Sequence, residues 1–254
     1  MARQGSIVVV GGKGGVGKTS VSAILVKLLA GDGRKLLLID ADPVVSVAYA
    51  LGETPRATLG DARERLIEDP GARRILEGRP IKAYIRDLVT ASERGYDLLA
   101  MGRAEGKGCF CGLNELLRFG IESLCAEYDT TLVDCEAGIE QVNRRAVHRI
   151  DRLVLVTDTS RRSLETIARV RDIAAGYDEG GRMEVRLLLN RVRGEDDRRR
   201  GEAAAAGIGL RVDGCIPEDS RILEYNAAGR CLLDLPEDAQ SVSALRDALP
   251  ALGW

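Results

Sequence analysis

Gly12-Lys13-Gly14-Gly15-Val16-Gly17-Lys18-Thr19-Ser20 follows the β-branched run Ser6-Ile7-Val8-Val9-Val10 and leads into Val21-Ser22-Ala23-Ile24-Leu25-Val26, a stretch of helical period. The pattern is G-x-x-x-x-G-K-[ST] in its strand, turn, helix context, and it decides the fold. Its glycines let the backbone curl so that successive N–H groups face one concavity. The helix that follows adds positive potential, and Lys18 brings a mobile charge for β- and γ-phosphates. Thr19 is placed to ligate Mg²⁺. An ordinary glycine-rich turn explains the glycines but not Gly-Lys-Thr at this offset.

Outward from the loop, short apolar runs alternate with longer helical stretches, the signature of βαβ units. Strands are predicted near Ser6–Val10, Lys35–Asp40, Tyr96–Met101, Thr130–Asp134, Arg152–Thr157, Val185–Asn190 and Arg211–Ile216. Helices are predicted near Gly17–Ala30, Leu113–Tyr128, Glu140–Arg149, Ser160–Ala175 and Arg221–Ala228. The expected fold is α/β, a doubly wound and mostly parallel sheet with helices on both faces, forming a single P-loop ATPase domain over residues 1–254. Thr54–Glu93 breaks the rhythm with charged stretches that read as short helices over one sheet edge. Arg191–Arg200 reads as an exposed loop leading into a surface helix.

Composition agrees. In 254 residues, 45% are apolar and 30% charged, enough for one buried core in a dissolved chain. Thirty-seven basic residues against 39 acidic ones leave −2, and 4% aromatic content offers few stacking platforms, so nucleic acid is not expected as a partner. No apolar run reaches membrane-span length and no signal peptide is legible, so a cytoplasmic protein without a membrane partner is expected. Six cysteines in that setting are expected to be reduced thiols.

Two strands end in acids, where doubly wound folds place ligands. Leu36-Leu37-Leu38-Ile39-Asp40-Ala41-Asp42-Pro43 carries two, and Thr131-Leu132-Val133-Asp134 has the form of a Walker B element, with Asp134 expected to hold Mg²⁺ through water. The spelling GKGGVGKTS resembles the deviant Walker A motif of the ATPases that include septum-site and plasmid-partition proteins and the nitrogenase iron protein. That resemblance implies a nucleotide-sandwich homodimer in which Lys13 reaches the partner's phosphates. It also implies that Asp42 orients the attacking water, that Asp40 supports the Mg²⁺ shell, and that the run from Cys135 to Glu140 senses the γ-phosphate. The same resemblance implies that Asn190, at a strand end, and Pro217 and Glu218 beyond it form the base pocket. Arg193 stands three residues after Asn190, so a guanine motif is missing and ATP/ADP is favoured.

Cys109-Phe110-Cys111 lies between a predicted strand and a predicted helix, where thiolates have lowered pKa and favour metal. In an extended stretch residues i and i+2 point to the same side, so both sulfurs can converge on one ion. Two thiolates make half of a tetrahedral site, and a two-fold axis would complete it with the same pair from a second chain. GKGGVGKTS, LIDADP, MGRAEGKGCFCGLNELLR, VDCEAGIE and IPED together resemble the CooC-type ATPases that mature nickel enzymes. The resemblance implies Ni²⁺ or Zn²⁺ held by Cys109 and Cys111 across a homodimer, with delivery to apo carbon monoxide dehydrogenase or acetyl-CoA synthase. After Glu140 this chain has Gln141 where the resembled family often has His, so nickel would rely on sulfur; His148, the sole histidine, reads as an ordinary helical residue.

Two other functions compete. A protein resembling the nitrogenase iron protein would hold a [4Fe–4S] cluster, with Cys135 joining Cys109 or Cys111. A spatial regulator resembling septum-site ATPases would need a lipid or DNA surface, and Ser241–Trp254 is too poor in basic residues for an amphipathic anchor. Cys125, Cys215 and Cys231 read as packing residues.

Overall fold

β1 (Ser6–Gly11), β2 (Leu36–Asp40) and β6 (Arg152–Thr157) are near-continuous apolar runs, and β5 (Thr130–Asp134) is buried throughout, because both faces of each strand are covered. The computed structural model describes residues 5–30, 33–103, 111–135, 149–178 and 180–254. β3 (Thr90–Ala91), β4 (Asp97–Ala100), β7 (Glu184–Val192) and β8 (Gly214–Pro217) complete one sheet of order β3-β4-β2-β5-β1-β6-β7-β8. The β3–β4 pair is antiparallel and the other pairs are parallel. The expected doubly wound, mostly parallel sheet is observed.

On one face, Val8, Val10, Leu36, Leu38 and Leu132 pack with α1 (Lys18–Leu29), α2 (Ser46–Ala50) and the last helix, α10 (Gln240–Leu252). On the other, Ile7, Val9, Leu37, Ile39 and Val133 meet α3 (Leu59–Glu68), α4 (Pro70–Glu77), α5 (Ile81–Leu88), α6 (Cys111–Cys125) and α7 (Arg161–Ala175). Each such aliphatic side chain, at or near zero exposure, contributes about 1.5–3 kcal/mol by leaving water.

Register positions the chemistry. Val10 lies opposite Asp134 on one side, and Asp40 lies opposite Asp134 on the other. The loop that leaves β1 therefore emerges beside two carboxylates at the carboxyl ends of β2 and β5.

Several expectations are corrected. The tract 191–200 is not a loop: β7 runs on to Val192, Gly194 turns the chain, and α8 (Glu195–Gly207) begins at once. Its first turn holds Glu195, Asp196 and Asp197 against the positive end of the helix dipole, and Arg198 and Arg199 pair with Glu202 and Glu195. The strand expected from Arg211 starts only at Gly214. The helix expected from Arg221 starts one residue earlier, at Ser220 (α9, Ser220–Ala227), where the Asp219 side chain accepts the Arg221 N–H. α6 begins at Cys111, so that cysteine opens a helix and does not sit in an extended stretch. Most of the helix expected at Glu140–Arg149 lies outside the described residues.

Candidate functional site

Gly12 turns the chain out of β1 with φ 150, and a Cβ there would sit 2.2 Å from the Val156 carbonyl oxygen. Only glycine fits. Gly17 caps α1 with φ 94 and packs so closely that a Cβ would lie 2.4 Å from Asn190 Nδ2. At Gly14 and Gly15 an added Cβ would meet nothing within 4 Å, so these two residues border the open side of the loop. Val16 is buried and anchors the loop, its carbonyl accepting the Asn190 amide at 2.8 Å. The first turn of α1 carries no acidic residue, which leaves its N-terminal N–H groups and dipole to an anion. Lys18 is 5% exposed and donates from Nζ to the Lys13 carbonyl at 3.1 Å. Ser20 sits half-buried in the same turn.

The acids stand beside this loop. Asp134 accepts Thr19 Oγ1 at 3.2 Å and Ser22 Oγ at 2.6 Å. Burial lifts its pKa to about 7; Ser22 opposes the rise and the Asp40 charge adds to it. Asp40 is fully buried and accepts backbone N–H groups of Ala48 (3.0 Å) and Asp42 (3.1 Å), yet burial still raises it to about 6. Two buried carboxylates and a threonine hydroxyl at the foot of a phosphate-binding loop form a hard-oxygen donor set, which suits Mg²⁺. Thr19 would hold it directly and Asp134 through water, where it would offset the charge that burial penalises. Asp42 follows in the turn after β2, with Val44 N–H on Oδ1 at 2.9 Å and the Ser46 hydroxyl on Oδ2.

Lys13 is half-buried in the loop. Burial opposes ionisation of Asp158 at the end of β6, but hydrogen bonds from Ser160 and the Lys13 charge hold its carboxyl below the usual range. Ser22, Ser46 and Asp158 were not singled out from sequence. The signal for Ser22 was its place one helical turn after Lys18, on the face that meets β5.

On the far side, Asn190 is buried against Val16, next to Arg191, whose left-handed φ of 58 marks the bulge between β7 and β8. Pro217 pairs with Val192, and Glu218 accepts both Nε and Nη2 of Arg193 at 2.7 Å, which draws its carboxyl below its usual value. The three residues assigned to a base pocket thus share one end of the sheet. Glu218 is already engaged there by Arg193.

Cys109 lies outside the described residues, as do residues 136–148 with His148, and the Cys111 side chain is likewise not described. Among the described residues no group of three or more His, Cys, Asp and Glu side chains is arranged to hold a metal. Cys135 is 2% exposed within the apolar layer, and burial, with Asp134 adjoining, pushes its thiol far above the ordinary value. Cys125 is buried in the same layer, while Cys215 and Cys231 are half-buried. No described helix is long and apolar enough to cross a membrane.

Residues 7–233 match the CobQ/CobB/MinD/ParA nucleotide binding domain. The chain belongs to that family. This member of the MinD/ParA family is 34% identical to an uncharacterized ATP-binding protein of Methanocaldococcus jannaschii, over 91% of this chain and 92% of that one. It is 31% identical to the carbon monoxide dehydrogenase accessory protein CooC of Rhodospirillum rubrum, over 95% of each. Its fold matches a chain of the MinC:MinD cell division protein complex of Aquifex aeolicus with a TM-score of 0.74 at 24% identity, covering 97% and 95% of the two chains, and the MinD cell division protein of the same organism with a TM-score of 0.72 at 25% identity, covering 97% and 96%. Membership makes this chain a nucleotide-binding protein.

Proposed function

We propose that this chain is an ATP-hydrolysing metallochaperone of the CooC type. It pairs with a second copy of itself around nucleotide, takes a nickel or zinc ion as cargo on Cys109 and Cys111, and delivers nickel to apo carbon monoxide dehydrogenase or acetyl-CoA synthase. The observation that carries this reading is the C-x-C pair at the entry to α6, in a chain 31% identical to CooC along almost its whole length.

The division of labour follows from the site. The N–H groups of Gly14 to Thr19 and the Lys18 ammonium bind the β- and γ-phosphates, and the Thr19 hydroxyl and Asp134 hold the Mg²⁺ that accompanies them. Mg²⁺ supplies charge neutralisation on the phosphate oxygens. Asp40 supports that shell, Asp42 orients the attacking water, and Lys13 reaches the phosphates of the partner subunit. Asn190, Pro217 and Glu218 border the adenine. Two thiolates from each chain at one axis give four sulfur ligands, so dimerisation around nucleotide and cargo binding reinforce each other.

A septum-site-type spatial regulator shares this fold, as the likeness to MinD indicates. Against a membrane-binding role for residues 240–252, α10 turns Val242, Leu245 and Leu252 into the core, which leaves that face nothing to offer a lipid surface. Cys135, which the iron–sulfur reading needs as a ligand shared between subunits, is instead 2% exposed within the apolar layer, which counts against that reading.

Equilibrium dialysis with Ni²⁺ or Zn²⁺ tests the proposal. Cys109→Ala with Cys111→Ala should abolish stoichiometric metal binding and leave ATP affinity intact; metal retained by the double variant would overturn the site.

A further inference from the structure

The turn after β2 is built around one carboxylate. Asp42 is 6% exposed, and its neighbours in sequence occupy it: Val44 N–H donates to Oδ1 at 2.9 Å and the Ser46 hydroxyl donates to Oδ2. Its own N–H donates to Asp40 Oδ1 at 3.1 Å, and its carbonyl accepts Val45 N–H at 3.0 Å. Val45 takes a left-handed φ of 59, a conformation that a β-branched residue adopts only when its surroundings impose it. That residue is the N-cap of α2, and the forced turn places Ser46 on the first helical residue, directly against the carboxylate.

An ionised carboxylate has about four acceptor sites on its two oxygens. With Val44 N–H on one oxygen and Ser46 O–H on the other, the carboxyl plane is fixed and each oxygen keeps a lone pair available. Of the two donors described on this carboxylate, that of Val44 is backbone and survives any change at position 44 other than to proline, so the Ser46 hydroxyl is the one that an ordinary side-chain substitution removes.

We propose that Ser46 is a positioning residue for hydrolysis, holding the Asp42 carboxylate in the orientation from which it aims water at the γ-phosphate. The inference rests on the reading of Asp42 as the water-orienting acid, and one experiment separates the two. Steady-state Mg²⁺·ATP hydrolysis is measured for the full chain and for Ser46→Ala, Ser46→Thr and Asp42→Asn, with a fluorescent ATP analogue for affinity and a thermal melt for folding. Ser46→Ala should lower kcat about tenfold or more with KM and nucleotide affinity within about twofold, because a hydrogen bond to a charged group is lost only where chemistry occurs. Ser46→Thr, which keeps the hydroxyl, should restore most of the turnover. A Ser46→Ala enzyme with wild-type kcat overturns the inference, as does a parallel rise in KM with a lowered melting temperature, which would mark Ser46 as merely structural. Hydrolysis surviving in Asp42→Asn would instead remove Asp42 from its assigned role.

Discussion

Replacing Asp134 with Asn isolates the charge around which the site is organised. Burial raises the Asp134 carboxyl from 3.8 to about 7, against the pull of the Ser22 and Thr19 hydroxyls. Below pH 3.8 folded and unfolded chains both carry the proton, and the contribution to stability is fully present. Between 3.8 and about 7 the unfolded chain has lost that proton and the folded chain keeps it, so stability falls as pH rises, and above about 7 the loss is complete. A rise of that size corresponds to roughly 4 kcal/mol, at about 1.4 kcal/mol for each tenfold change in proton affinity. Asn keeps the shape and the Oδ1 acceptor for Ser22 but turns an N–H₂ group toward Thr19, which offsets part of the gain. The variant, free of Mg²⁺ and nucleotide, should therefore be more stable than wild type near pH 8 by about 1–3 kcal/mol, or roughly 3–10 °C in a chain of this size. Urea unfolding in EDTA, followed by circular dichroism from about pH 5 to about pH 8, measures this. Wild type should lose stability across the window and the variant should show a flatter curve, while losing Mg²⁺-dependent ATP hydrolysis. Equal slopes, or a variant weaker than wild type at the alkaline end, would refute the reasoning.

The two lysines should separate in their effects. Lys18→Ala should abolish ATP binding by isothermal calorimetry; Lys13→Ala should retain much of it yet fail to dimerise with ATP in sedimentation, and intact dimerisation would return Lys13 to the role of a loop cation. Gly12→Ala forces a Cβ onto the Val156 carbonyl at a left-handed φ, and should cost about 2 kcal/mol or more of stability in addition to nucleotide affinity. Asn190→Ala removes the 2.8 Å bond to the Val16 carbonyl, leaving a buried acceptor unsatisfied; a loss of about 1–3 kcal/mol in chemical denaturation is expected, with ATP affinity falling alongside.

The sheet was legible because its central strands are apolar on both faces, and Gly12 to Thr19 announces its own geometry. What sequence could not supply was register: that Asp40 and Asp134 stand opposite one another depends on pairing between strands about ninety residues apart. Contacts made by small polar side chains were also hidden. Ser22 and Ser46 are ordinary helix residues until the neighbouring strand end and turn bring a carboxylate to each. The tract at 191–200 misled because its mixed charges, read along the chain, look like a solvated loop, whereas at helical spacing they form i,i+4 pairs on α8. At Cys111 the helix begins two residues before the expected start at Leu113, so the extended-chain reading does not hold for Cys111.

In the proposed active unit, two chains share one metal ion while bound to nucleotide. Native mass spectrometry of the full chain with a non-hydrolysable ATP analogue and Ni²⁺ tests it most directly. A dimer carrying two nucleotides and one nickel ion is expected, reverting to metal-free species when Cys109 and Cys111 are both replaced by Ala. A monomer holding nickel by itself, or a nucleotide-bound dimer that takes up no nickel at all, would contradict it.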